Sequence, residues 1–519
     1  MTGRLAAQDI TTADSPTSVY RCRTTGYAVV SVNICNRGAG PADITIIVSD
    51  TANISDLAGT IEFQTTVNSK DVLERTGIVV GSTQYLTVTS SVANVSVVAM
   101  GAEVGEFDSD IAAIPPIWSL SSTLDNPNAY DTSYNDRFGS SVAVSGDYAI
   151  VGAFFEDELG VTDAGKAYIY NAISGALLHT LDNPDDYAGS GGDNFGISVA
   201  ISGNYAIVGA HQEDDAGGTS SGKAYIFNVT SGALVHTLDN PNTYGTSAGD
   251  TFGRTVAIDG NLAIVGAPGE DDAGGTSSGK AYIFNVTSGA LVHTLDNPNA
   301  YGTSEADSFG NSVAISGNSA IVGVPSEDDA GGNNSGKAYI YNNSTGALVH
   351  TLDNPNPVGT SAGDKFGEGV AISGNLAIVS GFNEDDAGGT NSGKAYIFNV
   401  TSGALVHTLD NPNAFGTSED DYFGNSVAIS SDYAVVGANI EDDAAINNRS
   451  GKAYIFDLAT GSLFATLDNP NAYGTSTEDF FGLSAAISGN VVIIGASESD
   501  EGYGSNGANS GKAYIYKLS

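Results

Sequence analysis

Carboxylates recur along the chain in two registers, and their spacing is the first feature that could do chemistry. A Glu-Asp-Asp triplet stands at Glu213-Asp214-Asp215 and Glu270-Asp271-Asp272, and again from Glu327, Glu384 and Glu441, with variants at Glu156-Asp157-Glu158 and Ser499-Asp500-Glu501. A second acid lies two residues before each of seven Phe-Gly pairs, at Asp136, Asp193, Asp250, Asp307, Asp364, Asp421 and Asp479. Acids gathered this way make oxygen-rich sites for a hard cation such as calcium, which takes several carboxylate and carbonyl ligands. The candidate ligands are Asp193, Glu213, Asp214, Asp215, Asp250, Glu270, Asp271 and Asp272. The same residues would serve without any ion as Asx turns with solvated charge, and the ligand spacing of a dedicated calcium loop is missing. Both readings stay open on the sequence.

The loop before each Phe-Gly also carries an aromatic, at Tyr130, Tyr187, Tyr244, Tyr301, Phe415 and Tyr473, with Val358 in the remaining copy. Aromatics beside acids can stack on sugar rings, and an aromatic in nearly every copy can equally pack between repeats. A single ligand site needs asymmetry, which makes the deviant loops candidates: Phe154-Phe155, Val358 and Phe382, the insertion near Asn447–Arg449, and Tyr503. Five of the six histidines (His179, His236, His293, His350, His407) share one repeat position and His211 stands in a loop. No nucleophile elbow, zinc-ligand spacing or phosphate-cradling glycine loop occurs in context, so the expectation is a binding protein and not an enzyme.

These residues must be positioned by a repeat. Phe-Gly recurs at Phe138, Phe195, Phe252, Phe309, Phe366, Phe423 and Phe481, a period of 57 with one 58. Within a unit, Ser198–Ser202 and Tyr205–Ala210 flank a Gly-Asn turn, while Lys223–Asn228 and Ala233–Leu238 flank Thr230-Ser231-Gly232. Such runs predict two hairpins, hence four strands per unit, the first two apolar on both faces. Repeats of this length and content predict a β-propeller. Seven Gly-Lys-Ala-Tyr-Ile and seven Thr-Leu-Asp-Asn-Pro segments accompany the seven Phe-Gly pairs, but the first of the latter, Thr123–Pro127, precedes the first Phe-Gly. Trp118–Leu124 is therefore predicted to supply the last blade's missing strand, closing the ring and removing its open edges.

Phe-Gly followed by a hairpin ending in Gly266-Ala267-Pro268, varied as Gly323-Val324-Pro325, resembles the FG-GAP repeat of integrin α-subunit propellers and of many bacterial repeat proteins, over about 118–519. The resemblance implies a seven-bladed propeller in an adhesive or scaffolding role. Calcium-binding members of that family carry an Asp-rich loop between the first two strands. Here that connection is only Gly203-Asn204, Gly260-Asn261 or Gly317-Asn318, so the family's calcium site is not carried over.

Ahead of the repeats, 1–104 reads as a second unit, with 105–117, including Pro115-Pro116, as a linker. Tyr27–Cys35, Asp43–Val48, Thr60–Val67, Tyr85–Ser91 and Asn94–Met100 are β-branched runs between Gly/Asn/Ser/Asp turns, which predicts a β-sandwich. Met1–Pro16 reads as a tail that orders on a partner. The strings VSVNICNRG (Val30–Gly38), DVLERTGIVV (Asp71–Val80) and ANVSVVAMGAEV (Ala93–Val104) resemble a small β-domain of structural proteins of marine tailed phages. The fold class expected is all-β, a sandwich followed by a strand-closed seven-bladed propeller. The resemblance implies a virion protein present in several copies. Residues 1–104 would bind other virion proteins, and 118–519 would face a host-surface polysaccharide or receptor, as capsid decoration or tail fibre. A bacterial surface adhesion protein is the alternative.

The 519 residues carry 60 acids against 18 Lys and Arg, a formal net charge of −42. That balance argues against nucleic acid and anionic membrane as partners. The first twenty residues hold no apolar signal region, and no run reaches the ~18 apolar residues of a membrane span, so a virion without export signal or membrane insertion is expected. Cys22 and Cys35 make no disulfide framework.

Overall fold

The structure is a computed structural model describing residues 2–10, 17–21, 27–36, 41–49, 61–68, 72–81, 85–91, 95–104, 117–127, 135–157, 161–184, 191–214, 218–242, 247–271, 275–299, 305–328, 332–355, 361–385, 390–412, 419–442, 449–470, 478–499 and 510–518. Every regular element among them is a strand, and none is a helix long and apolar enough to cross a membrane. Contacts divide the chain into two compact units, Met1–Ile117 and Trp118–Leu518.

The first unit holds β1 (Thr2–Ile10), β2 (Thr17–Arg21), β3 (Tyr27–Asn36), β4 (Ala42–Ser49), β5 (Ile61–Val67), β6 (Val72–Gly81), β7 (Tyr85–Ser90) and β8 (Val95–Val104). They form two antiparallel sheets, ordered β1-β8-β3-β6 and β2-β7-β4-β5. That is the strand order of a double-sheet jelly roll. Alternation drives it: Ala42, Ile44, Ile46 and Val48 are buried while Asp43 is exposed and Thr45 half-buried between them, and Val32, Ile34, Leu86, Val88, Val95 and Val97 add to the core. The expected N-terminal tail is corrected. Thr2–Ile10 is an edge strand running antiparallel to β8, from Thr2↔Ala102 to Ile10↔Val95. An edge strand is held through one row of backbone bonds, so TGRLAAQDI forms one without an alternating apolar face. Cys35 forms no disulfide among the described residues, and Cys22 lies outside them.

The second unit is a ring of seven four-stranded antiparallel blades, at 141–182, 198–239, 255–296, 312–353, 370–410, 426–468 and 484–518. In blade three, strand A is Thr255–Asp259, B Leu262–Ala267, C Lys280–Asn285 and D Leu291–Asp296, hydrogen-bonded in that order. The last blade's fourth strand is β9 (Trp118–Asp125), paired antiparallel with Lys512–Leu518 from Lys512↔Asp125 to Leu518↔Trp118, as the landmark count requires. Trp118 also packs edge-on against Tyr433 of blade six, with ring centroids 5.8 Å apart.

Blades are joined by the Phe-Gly pairs. Phe252 is wholly buried, 5.8 Å from the Tyr282 ring, in a cluster that combines Ile207, Ile226 and Leu238 of blade two with Val265 and Tyr282 of blade three. Gly253 has φ 88°, and a Cβ there would lie 2.2 Å from the Lys223 carbonyl oxygen. Only glycine permits that approach of two backbones. The B strands are buried from their second residue onward, but the A strands keep half-buried positions, alternating with buried ones in blade three and throughout Ser484–Ser488 of blade seven, so the expectation of two faces equally buried holds for B alone. The A strands surround the central channel, a cavity of about 310 Å³.

Candidate functional site

Strand register sets the geometry of the acidic loops. Ala267 pairs with Lys280, Lys280 with Asp296, and Gly266 with Thr255. The B–C loop, the end of strand D and the start of strand A therefore share one side of each blade, the side of Phe-Gly. Lys280 and Tyr282, two apart on strand C, face the same way. Glu270 enters from the B–C loop with no solvent exposure, and the Tyr282 hydroxyl donates to its carboxylate at 2.7 and 2.6 Å. The pair recurs at 2.6–2.8 Å as Tyr168–Glu156, Tyr225–Glu213, Tyr339–Glu327, Tyr396–Glu384 and Tyr454–Glu441. Lys223 Nζ lies 2.6 Å from Glu213, and Lys280 pairs with Asp296. Burial pushes the carboxyls of Glu156, Glu270, Glu384 and Glu441 up to about 8 and that of Glu327 to about 7, against the pull of the tyrosine hydrogen bond and the lysine.

The acid before each Phe-Gly is equally internal. Asp250 is buried and accepts from Asn240 Nδ2 at 2.8 Å and Asn242 Nδ2 at 2.6 Å, while Asp193 accepts from Asn183 at 2.9 Å. The tie from the Asn of Asp-Asn-Pro recurs in all seven repeats at 2.7–2.9 Å. The middle acids of the triplets close their own loops: Asp214 accepts from the Ser220 amide at 2.8 Å and Asp271 from the Ser277 amide at 2.9 Å. Among the described residues, no group of three or more His, Cys, Asp or Glu is arranged to hold a metal. Asp215 and Asp272 lie outside the described residues.

Of the candidate aromatics, Phe154 and Phe155 are half-buried, their rings tilted 47° to one another with centroids 4.2 Å apart. Arg137 lies 5.4 Å over Phe155 and 3.1 Å from Glu498 of blade seven. Tyr130, Tyr187, Tyr244, Tyr301, Phe415, Tyr473 and Tyr503 lie outside the described residues, as does Val358. Four of the five strand-D histidines tie blades together, His179 Nε2 lying 3.0 Å from the Thr230 carbonyl of the next blade and His236 Nε2 3.0 Å from that of Thr287, with His350 and His407 likewise, whereas His293 Nε2 has no hydrogen-bond partner among the described residues. His211 is buried, and desolvation with Arg254 nearby lowers it to about 4.

Two features escaped the sequence reading. Ser141 Oγ donates to the Gly196 carbonyl of the next blade at 2.7 Å, and Ser484 closes the same link to Gly139 at 2.8 Å. Blade five exchanges the partners of this position, with Gly369 on strand A's side and Ser380 opposite, the Gly369 amide donating to Ser380 Oγ at 3.0 Å. The second feature is the position just after Phe-Gly, where the copies differ: Ser140, Asn425 and Leu483 line the channel there. Comparing the seven copies with one another was the signal that could have found both.

These observations define a closed β-propeller whose repeated acids knit its own loops. The FG-GAP repeat family matches at 128–170, 186–227, 244–284, 300–341, 357–398, 414–456 and 471–516, more than half of the chain. The chain belongs to the FG-GAP repeat family. No curated protein matches it. Such a propeller points to a surface or adhesion type of role.

Proposed function

We propose that the chain is a structural protein of a tailed-phage particle, its first unit docking to other particle proteins and its propeller displayed for adhesion to a host-surface glycan. The observation that carries this reading is the pairing of an FG-GAP propeller with a unit of jelly-roll strand order, an order used by viral capsid and lectin domains. The phage-like strings of 1–104 add to it. The described repeated acids and four of the five strand-D histidines are engaged within and between blades, which leaves the blade-specific residues of the Phe-Gly side as the adhesive surface and favours binding over catalysis. A bacterial surface adhesion protein is the second reading, favoured by the repeat family itself. A fusion of 1–104 to a fluorescent protein tests the division of labour. It should decorate particles that lack the full chain, while a 118–518 fragment binds host cells. Docking of the propeller fragment to the particle, with 1–104 left free, would reverse the assignment.

A further inference from the structure

Building on that adhesive reading, we propose that the channel mouth on the Phe-Gly side, in the sector of blades three to six, binds an acidic polysaccharide. The starting point is where the propeller keeps its cations. Of its twelve Lys and Arg, seven are the lysine of Gly-Lys-Ala-Tyr-Ile, set within the blades. Among the other five, Lys517 donates to the Ile173 carbonyl at 2.8 Å. The remaining four, Arg137, Arg254, Lys365 and Arg449, all stand in loops of the Phe-Gly side. Arg137 pairs with Glu498 at 3.1 Å and Arg449 reaches Glu478 at 3.9 Å. Arg254, which is exposed, and Lys365 have no carboxylate partner among the described residues.

The neighbours of these two cations suit a sugar acid. Arg254 follows Phe-Gly in blade three, the position that lines the channel as Asn425 in blade six. The same position holds Asn311 and Glu368 in blades four and five, and Asn311 Nδ2 donates to Glu368 Oε1 at 3.3 Å, so consecutive blades meet there. Lys365 Nζ lies 5.8 Å over the Phe382 ring, which meets the half-buried Tyr422 edge-on at 5.5 Å. A pyranose would stack its C–H face on Phe382 or Tyr422 and exchange hydroxyl hydrogen bonds with the Asn311 amide and Glu368 carboxylate. A uronic carboxylate or sulfate on that ring would pair with the Arg254 guanidinium in bidentate fashion, with Lys365 as a second charge. The chain's net charge of −42 repels a polyanion at long range, but at 0.15 M salt that field is screened beyond about 8 Å while direct contacts persist.

Titration calorimetry of the full chain with oligogalacturonate in 0.15 M NaCl, with maltooligosaccharide as the neutral comparator, tests this. Binding of the acidic oligomer alone is expected, weakened at least tenfold by Arg254→Ala and by Lys365→Ala. Arg137→Ala, on the same side but in blade one, outside the sector, should leave it unchanged, and unaltered Trp118 emission would show that each variant is folded. Equal binding of the neutral oligomer, indifference to the Arg254 and Lys365 variants, or no binding of oligogalacturonate would overturn the site. If the full chain still adheres to host cells in that case, only the acidic-sugar assignment falls. If it adheres to no cell surface, the adhesive reading falls with it.

Discussion

Glu270 should make the propeller more stable in mild acid than at neutral pH, and replacing it with Gln should remove its share of that dependence. Its carboxyl is raised by burial from 4.5 to about 8. A group whose folded value lies above its unfolded value binds a proton more readily in the native state. Its stabilisation is complete below about pH 4.5, declines as pH rises, and is gone above about pH 8. Within that window the slope is about 1.4 kcal/mol per pH unit for one carboxyl, hence about 3 kcal/mol between pH 5 and 7. Glu270→Gln keeps the shape of the neutral acid and an acceptor for the Tyr282 hydroxyl. Urea unfolding of both proteins between pH 5 and 8 should give curves that lie close together at low pH and diverge as pH rises, the wild type falling below Glu270→Gln by about that slope. Parallel curves would refute the reasoning, because they would mean that Lys280 holds Glu270 ionised throughout.

Other expectations follow from single contacts. Removing 118–124 takes away the strand that completes blade seven and the burial of Trp118 and Leu124; it should cost at least about 3–5 kcal/mol and lower Tm sharply, and a Tm as tolerant of it as of removing 1–104 would contradict ring closure. In blade five, Gly369→Ser places a Cβ 2.8 Å from Ser380 Oγ and Ser380→Gly removes the hydroxyl that the Gly369 amide uses. Each alone should cost about 1–3 kcal/mol, whereas the double variant restores the pattern of the other blades and should recover most of it in the same unfolding assay. Calcium at millimolar concentration should shift Tm no more than sodium chloride of matched ionic strength, since the described candidate ligands already have donors in the chain. A calcium-specific rise approaching the mass-action value of about 2.7 kcal/mol at one hundred times Kd would show otherwise.

Much of the propeller was legible because the chain can be compared with itself. Seven copies in register exposed the four-strand unit, and an unmatched Thr-Leu-Asp-Asn-Pro at one end with an unmatched strand C at the other exposed the closure by Trp118–Leu124. The jelly-roll order was not legible, since it depends on which distant strands pair, as β1 does with β8, and a mixed edge strand such as Thr2–Ile10 has no periodicity to read. The acids were legible as a pattern and opaque as to role. Glu270 and Tyr282 lie twelve residues apart on a loop and a strand, and only their joint recurrence in six copies, with Ser499 replacing the glutamate in the seventh, hinted at a pair. Asp250 and Asn240 likewise close a loop that spacing alone left compatible with a cation site.

The most direct measurement is quantitative mass spectrometry of purified phage particles beside the surface fraction of the host cells. The account predicts the chain in the particles at a fixed ratio to their other structural proteins, retained through density-gradient purification. Its presence in the cell-surface fraction and absence from the particles would contradict the particle assignment and make the bacterial adhesion protein the correct reading.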